Sequence, residues 1–285
     1  MKLGASLSHP LGLGKLLKSS SNIVPEYLVD CAKRIREMGF CCAEIPADLF
    51  FLIPQLLSDN TIKALSSLDI RYTAHLPFIG IDLSSTNEHI RSAGVKSVIE
   101  AARVIEPLSC LSYVLHIANS FEEEIFRWNL KEKVQGYVTS IILTQATKSL
   151  EELLTYLPAD RLCLETMETL PVTICLELAK KFRTRICLDT GHYAMNNFSG
   201  VSEFIKIHSS LLGEVHLNGF MKRRLAGRMT LIEDHISLND NMGFDEIYNA
   251  IVETGFDGPL IMEMPENHLM ASLTFLKENG YFTSN

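Results

Sequence analysis

Short apolar runs alternate with longer amphipathic segments along the whole of this 285-residue sequence. This repeat constrains the fold more than any other feature, because a short apolar run followed by a helical pattern is typical of a β-strand and its returning helix. Eight runs of this kind are present, at residues 2–8, 41–46, 71–75, 112–116, 161–166, 185–189, 214–217 and 259–264.

Helical segments lie between these runs and are bounded by residues that start or stop helices, such as Pro25 before one segment and Gly39 after it. The clearest of them cover residues 26–38, 87–105, 129–156, 203–212 and 244–253. Eight β-then-α units in sequence predict one TIM-barrel domain, a closed parallel (β/α)8 barrel over residues 1–285. An open, doubly wound sheet is the weaker alternative.

Composition narrows the class of protein further. Hydrophobic residues make up 47% of the chain and charged residues 21%, which is globular, and no apolar run approaches the roughly 18 residues of a membrane span. The seven cysteines show no CxxC spacing, and the first residues lack the apolar region of an export signal, so we expect reduced thiols and a cytoplasmic protein. The net charge of −8 disfavours nucleic acid as a partner without excluding it.

Potential metal ligands follow the predicted strands at their carboxyl ends. These ends face one mouth of a barrel, where active sites are built. A buried cluster of carboxylates would repel itself unless cations neutralised it, so the pattern predicts a metal site. The residues concerned are His75, His116, Glu165, Asp189, His192, His216 and Glu263.

The donor types indicate which metals to expect. Imidazoles and carboxylates without thiolates suit Zn²⁺, Mn²⁺ or Fe²⁺ better than Mg²⁺ or Ca²⁺ alone, and we expect two or three divalent ions, with zinc first. The loop predicted after the seventh strand adds an acid close to a histidine. Within it we favour Glu233 and His235 as further ligands, with Asp234 as the alternative acid.

Several motifs resemble the endonuclease IV branch of the xylose-isomerase-like barrels, AP endonuclease family 2. The segment from Asp189 to His192 matches that branch's Asp-x-x-His signature but has Gly191 where the family has Cys or Ala. The stretch 75–78 resembles its His-x-Pro-Tyr segment, and 215–218 also fits. Ser6 stands where the family usually has His, and the predicted loop after strand seven is longer, with Glu-Asp-His in place of Asp-Arg-His.

The resemblance implies three metal sites, of which the first two share Glu165. Carried over position by position, the first metal would be held by His75, His116 and Glu165, the second by Glu165, Asp189, His216 and Glu263, and the third by His192, Glu233 and His235. The implied reaction is hydrolysis of a phosphoester at the first two metals, with the third steadying the phosphate. A small-molecule phosphodiester or sugar phosphate is the expected substrate, and cobamide-remodelling phosphodiesterases are one related group.

Other functions stay open. A sugar isomerase or epimerase on the same barrel would use one metal at Glu165, Asp189, His216 and Glu263, with Glu165 and Glu263 moving protons. Such a site needs neither His75 nor His116, which favours the hydrolase. A metal-storing or partner-binding barrel is the non-enzymatic alternative.

Five further residues could contribute to the site, two of them by lining the pocket and three arginines by binding substrate phosphate, or they could belong to ordinary turns, core edges and solvated loops. They are His9, Glu44, Arg223, Arg224 and Arg228.

Overall fold

The computed structural model describes residues 2–7, 26–118, 125–126, 128, 131–225, 229–240 and 243–282. Eight parallel strands close into a barrel: β1 (Lys2–Ser6), β2 (Cys42–Pro46), β3 (Arg71–His75), β4 (Tyr113–Leu115), β5 (Leu162–Glu165), β6 (Arg185–Asp189), β7 (Leu212–His216) and β10 (Pro259–Met262). Neighbours in the barrel follow chain order, and Lys2 pairs with Pro259 where the last strand meets the first. The predicted (β/α)8 barrel is confirmed.

The helices lie around the barrel and bury their apolar faces against it. They are α1 (Tyr27–Glu37), α2 (Leu49–Leu52), α3 (Asp59–Ser66), α4 (Glu88–Ile105), α5 (Glu132–Leu153), α6 (Val172–Phe182), α7 (Thr190–Asn196), α8 (Val201–His208), α9 (Phe244–Glu253) and α10 (Glu266–Glu278). Side-chain caps begin several of them, because the free backbone N–H groups of a first turn need acceptors. Ser58 accepts from Thr61 N at α3, and Asn87 accepts from His89 N at α4.

The segment after β7 differs from the sequence prediction, which had a loop there. It forms an antiparallel hairpin of β8 (Gly219–Leu225) and β9 (Met229–Ile236), which pair with each other and not with the barrel. The hairpin contacts α7, beside the carboxyl end of β6. This placement brings residues of β9 towards the mouth of the barrel.

Two expectations from composition have counterparts in the structure. All seven cysteines are free thiols, and six of them are buried, with Cys41 exposed. Among the described residues, no helix has the length and apolar character needed to cross a membrane.

Candidate metal centre

The barrel strands end on the residues that could bind metal. His75, Glu165, Asp189 and His216 are the last residues of β3, β5, β6 and β7. His116 and Glu263 each stand one residue beyond the end of their strand, β4 and β10. Parallel strands present these ends to one mouth, so residues far apart in sequence meet there.

The first group joins two imidazoles to one carboxylate oxygen. Glu165 Oε2 lies 3.1 Å from His75 Nε2 and 2.7 Å from His116 Nε2. The Phe78 ring packs against both imidazoles, with centroid distances of 4.5 Å to His116 and 5.0 Å to His75. His75 Nδ1 lies 3.0 Å from Leu76 O, which orients the ring with Nε2 towards Glu165.

The second group surrounds His216 Nδ1 with three carboxylates. Glu263 Oε2 is 2.9 Å from this nitrogen, Glu165 Oε1 is 3.2 Å from it and Asp189 Oδ2 is 3.8 Å from it. Asn218 holds two of these carboxylate residues in place, because its Nδ2 donates to Asp189 Oδ2 and its Oδ1 accepts from Glu263 N. The two oxygens of Glu165 therefore face different histidines.

A third group lies towards α7 and the hairpin. Asp189 Oδ1 accepts the backbone N–H of His192 at 2.8 Å, while Asp189 Oδ2 lies 3.8 Å from His235 Nε2. His192 Nδ1 is buried without a hydrogen-bond partner among the described residues, 3.5 Å from Glu165 Oε1. Two sets of ligand atoms converge here: Asp189, His192 and His235, and also Glu168, His192 and Asp234.

Glu233 does not join this group, which corrects the preference for it over Asp234. Its side chain forms an ion pair with Arg223 at 2.8 Å, and 41% of it is exposed. The hairpin register shifts between Gly219 and Met221, and His235 has a positive φ of 53°. This bulge breaks the alternation of the strand, so that Asp234 and His235 both turn to the mouth while Glu233 turns away.

The electrostatics of the cluster are strongly coupled. Burial alone would raise the pKa of Glu165, but His116 and His216 hold that pKa well below its usual range. Glu263 behaves in the same way, because His216 lowers its pKa against the effect of burial. Burial opposes protonation of His75, yet its contact with Glu165 raises the pKa of His75 to about 10. Positive charge placed among these carboxylates is therefore favourable.

The donor set fits divalent cations. The candidate ligand atoms of each group lie within 4.8 Å of one another, and every member is buried or half-buried. Imidazole nitrogens and carboxylate oxygens are the donors that zinc, manganese and iron accept. The unpartnered His192 Nδ1 also fits, since a cation would supply the partner that this buried nitrogen lacks.

Two buried acids lie behind His216, and sequence reasoning gave neither a metal-centre role. Glu44, in β2, was expected to be a core-edge carboxylate, and its Oε2 lies 3.2 Å from His216 Nε2. Glu214, in β7, is not among the predicted site residues, and its Oε2 accepts from Ser112 Oγ at 2.5 Å. Burial and the charge of Glu44 raise the pKa of Glu214 to about 8. Glu214 lies two residues before His216, and strand alternation places both side chains on the inner face of the barrel.

Of the remaining pocket candidates, Arg223 is the one whose side chain the structure describes. Arg223 is exposed and pairs with Glu233. His9 and Arg228 lie outside the described residues, and the side chain of Arg224 is not described.

Comparisons with known proteins agree with this architecture. The uncharacterized protein MJ1614 of Methanocaldococcus jannaschii is 24% identical over 223 residues, covering 76% of this chain and 77% of its own. Among solved structures, a D-tagatose 3-epimerase-like protein is similar with a TM-score of 0.70 and 22% identity, over 99% of this chain and 97% of that one. SacUVDE is similar with a TM-score of 0.65 and 14% identity, over 99% of this chain and 100% of its own.

Five further solved structures with this fold are named as sugar epimerases. At these identities the likeness shows the fold and leaves the reaction open. The family model described as "Xylose isomerase-like TIM barrel" matches residues 32–279. The chain therefore belongs to the xylose isomerase-like TIM barrel family.

Proposed function

We propose that this protein is a metal-dependent phosphodiester hydrolase that uses two or three divalent cations, with zinc the first choice and manganese or iron as alternatives. One observation carries the proposal. Glu165 presents Oε2 to His75 and His116 and Oε1 to His216, so one carboxylate can serve two neighbouring cations. A site for a single cation would not require histidines on both sides of that carboxylate.

The ligand sets follow from these contacts. We propose His75, His116 and Glu165 for the first cation, and Glu165, Asp189, His216 and Glu263 for the second. For the third, the favoured ligands are His192 and His235, with Asp234 in place of Glu233 on the same face of the hairpin. Glu168 is close enough to His192 and Asp234 to contribute as well.

The proposed reaction suits these residues. Paired divalent ions neutralise phosphoryl oxygens and acidify bound water towards neutral pH, which a phosphodiester needs because its own charge repels hydroxide. Glu165 keeps the first two sites adjacent, and Asn218 fixes Asp189 and the backbone of Glu263. Phe78 covers one side of His75 and His116 and so excludes water from that flank.

For the substrate we propose a small-molecule phosphodiester or sugar phosphate. The net charge of −8 disfavours a polyanion such as nucleic acid, although it does not exclude one. The exposed apolar side chains of Phe78 and Ile79 beside the mouth suit a compact substrate with an apolar face. A cytoplasmic location is proposed from the free thiols alone.

Metal content and hydrolysis together test the proposal. Purified protein should contain two or three divalent ions per chain by elemental analysis and should cleave bis-p-nitrophenyl phosphate. Glu165→Gln should lose hydrolysis and at least one ion, and His116→Ala should lose the first ion. His89→Ala, at an exposed position on α4, is the matched control and should behave as wild type. A metal-loaded wild type that cleaves no phosphodiester would contradict the hydrolase.

A sugar isomerase or epimerase is the second candidate, and one observation favours it. Glu165, Asp189, His216 and Glu263 are compact enough to hold a single cation, with Glu165 and Glu263 both beside His216 Nδ1. Two glutamates at one cation could move protons next to a sugar carbonyl. This candidate predicts about one metal per chain, and ketose epimerisation that survives loss of His75 and His116.

A further inference from the structure

The two ring nitrogens of His216 face different partners. Nδ1 is directed at Glu263, Glu165 and Asp189, which are the other members of the second group. Nε2 is directed into the barrel, at Glu44 Oε2, 3.2 Å away. A neutral imidazole that ligates through Nδ1 must carry its proton on Nε2. That proton then points at Glu44.

Glu214 is the other acid near Nε2, and the geometry separates it from Glu44. Its nearest oxygen is 3.9 Å from Nε2, which is beyond hydrogen-bonding distance. Its other oxygen is already engaged by Ser112. Of these two acids, Glu44 is therefore the hydrogen-bond acceptor for His216 Nε2.

Glu44 occupies a costly position. It has no exposed surface, and its Oε1 has no hydrogen-bond partner among the described residues. A buried carboxylate is unfavourable unless a partner compensates it. The direct partner of Glu44 is His216, so its position is best explained by what it does to that imidazole.

We propose that Glu44 is a positioning residue for the second cation: it holds His216 in the Nε2-protonated tautomer, turned so that Nδ1 faces the cation. This inference rests on the metal sites of the proposed function. A carboxylate that accepts the second ring proton of a metal-bound histidine fixes the ring and makes the ligating nitrogen more basic. Loss of such a partner lowers metal affinity by about 10–100-fold.

Chelator competition with Zn²⁺ and visible spectra of the Co²⁺-loaded protein test the inference. Glu44→Ala should lower the affinity for the second cation by about 10–100-fold and shift the Co²⁺ spectrum. Glu44→Gln keeps an acceptor without the charge and should fall between Glu44→Ala and wild type. Glu214→Gln is the matched control, because Glu214 is a second fully buried acid near His216. This variant should retain wild-type affinity and spectrum.

Nitrogen-15 NMR of zinc-loaded wild type gives a readout that needs no variant to fold. The inference expects a proton on His216 Nε2 and a metal-shifted Nδ1, whereas the opposite tautomer would overturn it. Glu44 variants with wild-type affinity and spectra, or a Glu214→Gln effect equal to that of Glu44→Ala, would also overturn it. A wild type that binds no cation contradicts the proposed function and this inference together. Unchanged Glu44 variants of a metal-binding wild type contradict this inference alone.

Discussion

Gly191 and Asp234 approach so closely that a Cβ on Gly191 would lie 2.9 Å from the Cβ of Asp234. Gly191 stands in the first turn of α7, and Asp234 stands on β9 opposite it. Glycine costs helical stability, so its presence here is explained by the space that Asp234 needs. The glycine at position 191, where the endonuclease IV branch has Cys or Ala, and the acid at position 234 are therefore physically linked.

We expect Gly191→Ala to destabilise the protein by about 1–3 kcal/mol, because the added methyl group forces Asp234 outwards. In an Asp234→Gly background, which removes the opposing Cβ, the same substitution should cost much less. Chemical denaturation of the four proteins of this double-mutant cycle measures the coupling. Additive effects would show that the two positions do not constrain each other.

Because of the hairpin bulge, we expect substitutions of two neighbouring acids to have different effects on cation affinity. Asp234→Asn should lower the affinity for the third cation by about tenfold or more, because it removes a negative donor beside His192 and His235. Glu233→Gln should leave that affinity unchanged, since Glu233 pairs with Arg223 away from the mouth. Calorimetric titration with Zn²⁺ compares the two variants. The reverse pattern would show that Glu233 is the ligand.

Removing metal should lower stability by about 3–4 kcal/mol for each cation site, relative to protein in which that site is saturated at about 100–1,000 times Kd, since cations bind the folded state alone. The buried carboxylates Glu165, Asp189 and Glu263 lose their strongest counter-charge when the ions leave. Denaturation with and without chelator, followed by re-addition of Zn²⁺, measures the effect. If chelation leaves stability unchanged in a protein that contained metal, the ions are not held by these buried groups.

Arg91 should matter for stability and not for metal. Its guanidinium is buried between α4 and α5, where Nη1 donates to Ser149 Oγ at 3.1 Å and Nε to Glu88 Oε2 at 3.0 Å. Arg91→Met should cost about 2–3 kcal/mol through lost charged hydrogen bonds, with metal content unchanged. Lys206→Ala breaks the exposed pair with Glu253 and should cost less than about 1 kcal/mol. Thermal denaturation and elemental analysis check both.

The barrel was predictable from the sequence because each strand carries a short apolar run and each helix a regular apolar face. The ends of β3, β5 and β6 coincide with the predicted strand ends to within one residue. The convergence of His75, His116 and Glu165 with Asp189, His216 and Glu263 follows from strand direction alone. No local pattern is needed to place side chains that follow parallel strands.

The hairpin and the acids behind His216 were not predictable in this way. Glu233 and Asp234 are adjacent acids, and only the bulge with its left-handed His235 determines which of them faces the mouth. In the sequence, Glu44 is recognisable only as an acid near the end of a strand. Its approach to His216 depends on the register across several strands, which local sequence does not reveal. The signal available was an acid within an otherwise apolar strand.

The central claim is that Glu165 lies between two cations. A crystal structure of the zinc-loaded protein, with anomalous diffraction to locate the ions, tests it directly. Two ions about 3.5–4 Å apart, one on each oxygen of Glu165, are predicted. A single ion among Glu165, Asp189, His216 and Glu263, with His75 and His116 unligated, would contradict the claim.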